Sequence, residues 1–145
     1  MLRSKKFLIP LVLLVCCLQV QSSCAATRTM SGTAKVWAGV PLIGHVYVCT
    51  PYTAKYTQKT NVIRQGKRKL KSVTKTVKKV TINQKSYTSA GVALITYQHY
   101  DNWSVIHPGR TSFDVYARGH CNFVFKKIPI SMGLQTFVKT ISILK

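Results

Sequence analysis

The chain has 145 residues, of which 22 are lysine or arginine and two are acidic, and its formal net charge is +20. Because Asp101 and Asp114 are the only carboxylates of side chains, an acid–base pair of the glycosidase kind would need both of them. Such a chain can neutralise few of its basic residues internally, so the composition indicates an anionic partner.

The first 26 residues have the three parts of a secretory signal peptide. Basic residues at positions 3, 5 and 6 precede an apolar run at 7–18, and small and polar residues dominate 19–26. The apolar run is shorter than the ~20 residues that a membrane-spanning helix needs. We therefore expect a secreted, extracellular protein without a transmembrane segment in its mature chain. Three cleavage positions remain open, after Ser23, Ala25 or Ala26.

The mature chain, residues 27–145, has the length of a single domain with one modest core. Two cysteines in an oxidising compartment favour one disulfide, and Cys49 and Cys121 remain once the leader is removed. If Cys24 is retained, one thiol is left over for an intermolecular bond. No paired-cysteine spacing accompanies these residues, so the sequence indicates neither a metal site nor a cofactor.

Short runs with period-two alternation dominate the mature chain, and no long window has the helical spacing of apolar residues. In one of these runs the alternation places Val46 and Val48 on one face and Cys49 on the other. Turn signals separate the runs, so the pattern predicts an all-β fold, a small antiparallel β-sandwich of about seven strands. The predicted strands cover residues 29–37, 45–50, 73–82, 91–97, 112–118, 122–128 and 137–144.

Residues 102–110 read as a loop, because Pro108-Gly109 is a strong turn signal. This segment contains the tripeptide Asn102-Trp103-Ser104, which is an N-glycosylation sequon in a secreted chain. We therefore expect Asn102 to be a candidate glycosylation site.

A lysine-rich segment at 55–85 holds eleven of the 22 basic residues and no acid. Its polar part, 58–66, reads as an exposed loop, and 73–82 reads as an edge strand, since lysines on one face protect an edge from aggregation. Clustered cations also bind polyanions by releasing condensed counterions. Few aromatic residues interleave with the lysines, so nucleic-acid binding by base stacking is disfavoured. The candidate polyanion-binding residues are Arg64, Lys67, Arg68, Lys69, Lys71, Lys75, Lys78 and Lys79.

The opening Gly32-Thr33-Ala34-Lys35-Val36 and the following 38–48, with its Gly-x-Pro turn, are similar to the first two strands of the nematode transthyretin-like proteins. His120-Cys121-Asn122 looks like the His-Cys-Asn region of that family, and the closing 140–144 is similar to its last strands. The resemblance covers most of the mature chain. The resemblance implies a transthyretin-like or immunoglobulin-like β-sandwich, with 55–85 as an insertion. Trp37 stands where the family often has a cysteine, which makes Cys49 a replacement partner for Cys121.

Catalysis is poorly supported by the sequence. Phosphate-binding and dinucleotide-binding fingerprints are absent, and His99 and His107 near Asp101 and Ser104 form only a weak hydrolytic constellation. We expect a non-enzymatic protein that binds an anionic glycan, an acidic lipid surface or an acidic extracellular protein. Two alternatives remain: a carrier of a small apolar ligand or an extracellular signalling protein, as the resemblance implies, and a cationic membrane-active protein. The oligomeric state is left open.

Overall fold

The computed structural model describes residues 21–40, 44–84, 88–91 and 95–144. The all-β prediction is confirmed, because these residues form strands and turns and only Gln84 has a helical assignment. The predicted leader, apart from residues 21–26, lies outside the described residues. The strands are β1 (Gln21–Val40), β2 (Gly44–Gln65), β3 (Arg68–Ile82), β4 (Thr88–Gly91), β5 (Ile95–Ile106), β6 (Ser112–Phe125) and β7 (Ile128–Ser142).

The strands form two sheets. Sheet A has the order β1-β2-β3, with β4 also paired to β2, and sheet B has the order β5-β6-β7. The register of sheet B places Ala117 between Asn102 of β5 and Phe137 of β7. Because β3 ends the order of sheet A, the lysine-rich strand is an edge strand, as the sequence predicts.

The chain divides into two compact units. The first comprises Met1–Ala25 and Lys59–Thr74, and the second comprises Ala26–Gln58 and Lys75–Lys145. We call the first the hairpin unit, because its residues 59–74 are the end of β2, a turn and the beginning of β3. The second is the two-sheet unit, which contains the buried core residues of both sheets.

Two clusters of buried side chains in the two-sheet unit combine residues of both sheets. The first cluster unites Ala54 and Val77 of sheet A with Phe113 and Val115 of β6. The second unites Val46, Val48, Ile95, Ala117 and Cys121. Phe113, Val115, Ala117 and Cys121 are each fully buried, because alternate residues of a strand face the same side. The central strand of sheet B thus contributes one continuous apolar face to the core.

The alternation changes phase in two strands. In β5, a register shift lies between His99 and Asp101, and it brings Asn102 to the buried side. In β3, the consecutive residues Lys78 and Lys79 are both exposed, so Val77 before them and Val80 after them both pack against the first cluster. A strict period of two residues would place Val77 and Val80 on opposite faces, and β3 departs from it here.

Three expected boundaries also differ. Residues 58–65 continue β2, so the polar part of the lysine-rich segment is strand rather than loop. Residues 102–106 belong to β5, and the turn after them is restricted to 107–111. The two predicted strands at 112–118 and 122–128 are one strand, β6, which ends at a turn formed by Lys126 and Lys127 with φ of 46° and 71°. Two lysines in the left-handed region carry no sequence signal of a turn, since asparagine and glycine usually occupy such positions.

The predicted disulfide is not formed: Cys49 and Cys121 are both buried free thiols. Strand alternation explains the difference. Val46 and Val48 of β2 pack in the same cluster as Cys121, and Cys49, the next residue along β2, faces the opposite side of that strand. The Cys49 side chain is therefore on the side of β2 that faces away from the cluster containing Cys121.

Asn102 is not in an exposed loop. It lies within β5, its side chain is 6% exposed, and neither its Nδ2 nor its Oδ1 has a hydrogen-bond partner among the described residues. Thr50 of β2 is likewise fully buried with an unpartnered Oγ1. Glycosylation of Asn102 stays a prediction, but in this fold its amide is enclosed by the core rather than presented to solvent.

Candidate anion-binding site

The structure divides the predicted polyanion-binding residues between the two units. Lys75, Lys78 and Lys79 lie in the part of β3 that belongs to the two-sheet unit, where Lys75 is half-buried and the other two are exposed. The remaining five are exposed in the hairpin unit, at the end of β2, in the turn and at the beginning of β3: Arg64, Lys67, Arg68, Lys69 and Lys71. We call these five residues the basic hairpin.

The basic hairpin closes at a two-residue turn, Gly66-Lys67, in which Gly66 has a φ of 58°. Glycine at the first central position permits this conformation without a steric penalty and matches the twist of the adjoining strands. In a hairpin with a two-residue turn, residues equally distant from the turn lie opposite each other on the same face. Arg64 is therefore opposite Lys69, and Ile63 is opposite Leu70.

This register gives the hairpin two different faces. One face carries Arg64 and Lys69, with Lys71 and Val73 further along β3. The other face carries the apolar pair Ile63 and Leu70, with Arg68 next to the turn. Like charges directly opposite each other on neighbouring strands destabilise the pairing. The first face is thus a position where an anion would lower the energy of the folded hairpin.

Neither aspartate of the chain relieves this repulsion, because both are already engaged by side chains of the two-sheet unit. Arg118 donates from Nε and Nη2 to the two oxygens of Asp101, at 2.9 and 2.5 Å. Asp114 accepts a hydrogen bond from Thr140 Oγ1 at 2.6 Å, and its Oδ1 is 2.9 Å from Nε2 of His107. The hydrogen bonds from Thr140 and then His107 hold the pKa of Asp114 below its ordinary value.

Arg118 is a basic side chain that has partners inside the two-sheet unit. Besides Asp101, its guanidinium lies over the rings of Tyr100 and Trp103, at 5.2 and 5.5 Å from their centroids, and Trp103 stacks on Tyr116 at 5.0 Å. The bond to Asp101 raises the pKa of Arg118. This cluster is not predictable from the sequence, since the alternation of β5 indicates it only after the register shift is known.

The weak hydrolytic constellation is not assembled. His107 contacts Asp114 rather than Asp101, and Asp101 is bound by Arg118. His99 contacts Tyr97 instead, with its Nδ1 3.5 Å from the phenol oxygen, and burial lowers the pKa of His99. The described part of the chain contains no group of three or more potential metal ligands. It also has no helix of the length and apolarity needed to cross a membrane.

Leu70 is a further candidate residue that the charge pattern alone did not single out. Its side chain is 59% exposed, and it lies between Lys69 and Lys71 on β3. Val73 of the same strand is 45% exposed. Single exposed apolar residues are common on protein surfaces, but Leu70 interrupts the densest run of cations in the chain, residues 67–71.

Comparison with protein-family models, with curated proteins and with solved structures found no match.

Proposed function

We propose that the protein is a secreted, cationic, non-enzymatic binding protein and that its basic hairpin engages an anionic extracellular partner. The observation that carries this proposal is the hairpin face on which Arg64 lies opposite Lys69. Neither cation pairs with an aspartate, because both aspartates are held by other side chains. A bound polyanion would remove the repulsion and release condensed counterions at the same time.

Four serine substitutions in the hairpin test this function: Lys67→Ser, Arg68→Ser, Lys69→Ser and Lys71→Ser. All four positions are exposed, so the combined variant should fold. We expect it to lose its retention on heparin. Each cation that contacts a polyanion contributes roughly 0.7–0.9 to the slope of log affinity against log salt, so the slope should fall by about three.

The matched control removes the same charge from exposed positions outside the hairpin, with Arg28→Ser, Lys55→Ser, Lys127→Ser and Lys139→Ser. If the hairpin is the site, the control protein elutes near the salt concentration of the wild type. If the hairpin variant elutes with the wild type, or if both variants lose retention equally, the hairpin is not the site.

A second candidate function is that of a small-ligand carrier with a site between the two sheets. The buried, unpartnered polar atoms of Thr50 and Asn102 favour it. It also accords with a transthyretin-like β-sandwich, the finer fold that we propose from the sequence resemblance and from the core clusters that both sheets share. Salt separates the two candidates, since polyanion binding weakens steeply with salt and binding of an apolar ligand does not.

A further inference from the structure

We propose that the anionic partner of the basic hairpin is a lipid bilayer, and that Leu70 enters the boundary between its headgroups and acyl chains. This inference rests on the proposed function and narrows it. A membrane interface accepts an apolar side chain and attracts cations at the same position. The hairpin offers both within a few residues.

One face of the hairpin suits such a contact when it lies flat on the bilayer. Ile63 and Leu70 lie opposite each other, and Arg68 follows one step nearer to the turn on the same face. Their side chains then point towards the acyl chains to a depth within the ~5–10 Å that an interfacial segment reaches. Arg68, about 6.6 Å from Leu70 along the strand, keeps its guanidinium at the phosphates by extending its side chain outwards.

The cations of the hairpin supply the electrostatic attraction to the same surface. Arg68 on the face of Leu70 and Lys67 in the turn can lay their methylene stems along the apolar boundary and keep their charged ends at the phosphates. The cations of the other face point away from the bilayer but remain within about one Debye length of it, ~8–10 Å, so the negative surface potential still attracts them. Each basic residue close to an anionic membrane surface strengthens binding by about fivefold.

A glycan offers no comparable environment for Leu70. Heparin and related chains are sulfated and carboxylated throughout, so an exposed leucine among the lysines adds nothing to their binding and dilutes the cation density. The 59% exposure of Leu70 is consequently better matched by lipid than by a polysaccharide.

The test compares one apolar substitution on two anionic probes. Leu70→Ser removes the apolar side chain and leaves every charge of the hairpin unchanged. The control is Leu144→Ser, because Leu144 is 62% exposed in the two-sheet unit. The probes are vesicles of phosphatidylcholine with one third phosphatidylserine and immobilised heparin, and vesicles of phosphatidylcholine alone show the requirement for negative charge.

We expect Leu70→Ser to weaken binding to the anionic vesicles by about tenfold, the lower end of the free energy of burying a leucine side chain. Its elution from heparin should not change, and Leu144→Ser should bind both probes like the wild type. A Leu70→Trp variant adds a direct readout: its fluorescence, after subtraction of the wild-type spectrum, should shift to the blue on mixing with anionic vesicles only.

Unchanged vesicle binding by Leu70→Ser, or equal weakening on vesicles and heparin, overturns the insertion of Leu70. A blue shift of the Leu70→Trp fluorescence that is equally large with vesicles of phosphatidylcholine alone overturns it as well. In each of these cases the proposed function survives as long as the four-serine variant still loses its anionic partner. The proposed function itself is refuted when the four-serine variant elutes from heparin with the wild type, or when it and its matched control lose retention equally.

Discussion

Substitution of Asn102 by leucine should stabilise the protein. Asn102 lies on the core side of β5 opposite Ala117, whose side chain is fully buried, and both polar atoms of its amide are buried without a partner among the described residues. A buried polar group without a hydrogen bond costs about 1–3 kcal/mol. Leucine has the same branching at Cγ and carries no polar atom, so it removes this cost.

The expected gain in the free energy of unfolding is therefore about 1–3 kcal/mol. For a domain of this size, each kcal/mol raises Tm by roughly 3–6 °C. The assay is urea and thermal unfolding of protein made in a host that does not glycosylate. A Ser104→Ala variant is the control, because it destroys the sequon and keeps Asn102. It separates the effect of the amide from that of a glycan in hosts that do glycosylate.

A loss of stability in Asn102→Leu would refute this reasoning. It would mean that the amide is satisfied in solution by ordered water or by a bound molecule, because breaking a satisfied buried network destabilises a protein. Of these two, a bound molecule would support the carrier function, and in either case Thr50→Val should lose stability as well.

Three further predictions concern the turns and the sheet-B residues. The double change Lys126→Asn with Lys127→Gly should raise the free energy of unfolding by about 1–2 kcal/mol in a urea titration, because the left-handed conformation costs other residues that much; a decrease would contradict it. Gly119→Ala should lower Tm by more than 10 °C, since an added Cβ would collide with backbone and ring atoms of β5. The low pKa of Asp114 stabilises the fold above the unfolded carboxyl pKa of about 3.9, and this stability is lost as the pH falls through the lower folded value. Unfolding of Asp114→Asn should therefore depend less on pH between about 2 and 5, and an unchanged profile would contradict it.

The sequence predicts the strand-rich class and several faces correctly, because alternation is a local property. The period of two residues is enough to predict that Val46 and Val48 share one face, and both pack in the core. The same alternation puts Cys49 on the other face, so it already argues against a Cys49–Cys121 bond. The disulfide prediction was wrong because it followed from the cysteine count rather than from the faces.

Boundaries and phase shifts were less predictable, because they depend on residues far away in the sequence. Asn102 looks like a loop residue by composition, and only its pairing with β6 makes it part of a strand. Lys78 and Lys79 look like ordinary edge residues, and nothing local shows that the alternation changes there. In the candidate site, the charge of the hairpin was visible in the sequence, but the opposition of Arg64 and Lys69 required the position of the turn.

The backbone of Arg110, in the turn after β5, reaches the edge of sheet A. Its carbonyl oxygen accepts a hydrogen bond from the Val77 amide at 2.6 Å, and Arg110 has a φ of 53°. Exchange of the Val77 amide proton with solvent therefore requires the turn to detach from β3. Its exchange rate should report the opening of this single contact between two residues that are 33 positions apart in the chain. The Val77 amide should exchange more slowly than the amides at the open edge of β3 nearer to the hairpin turn.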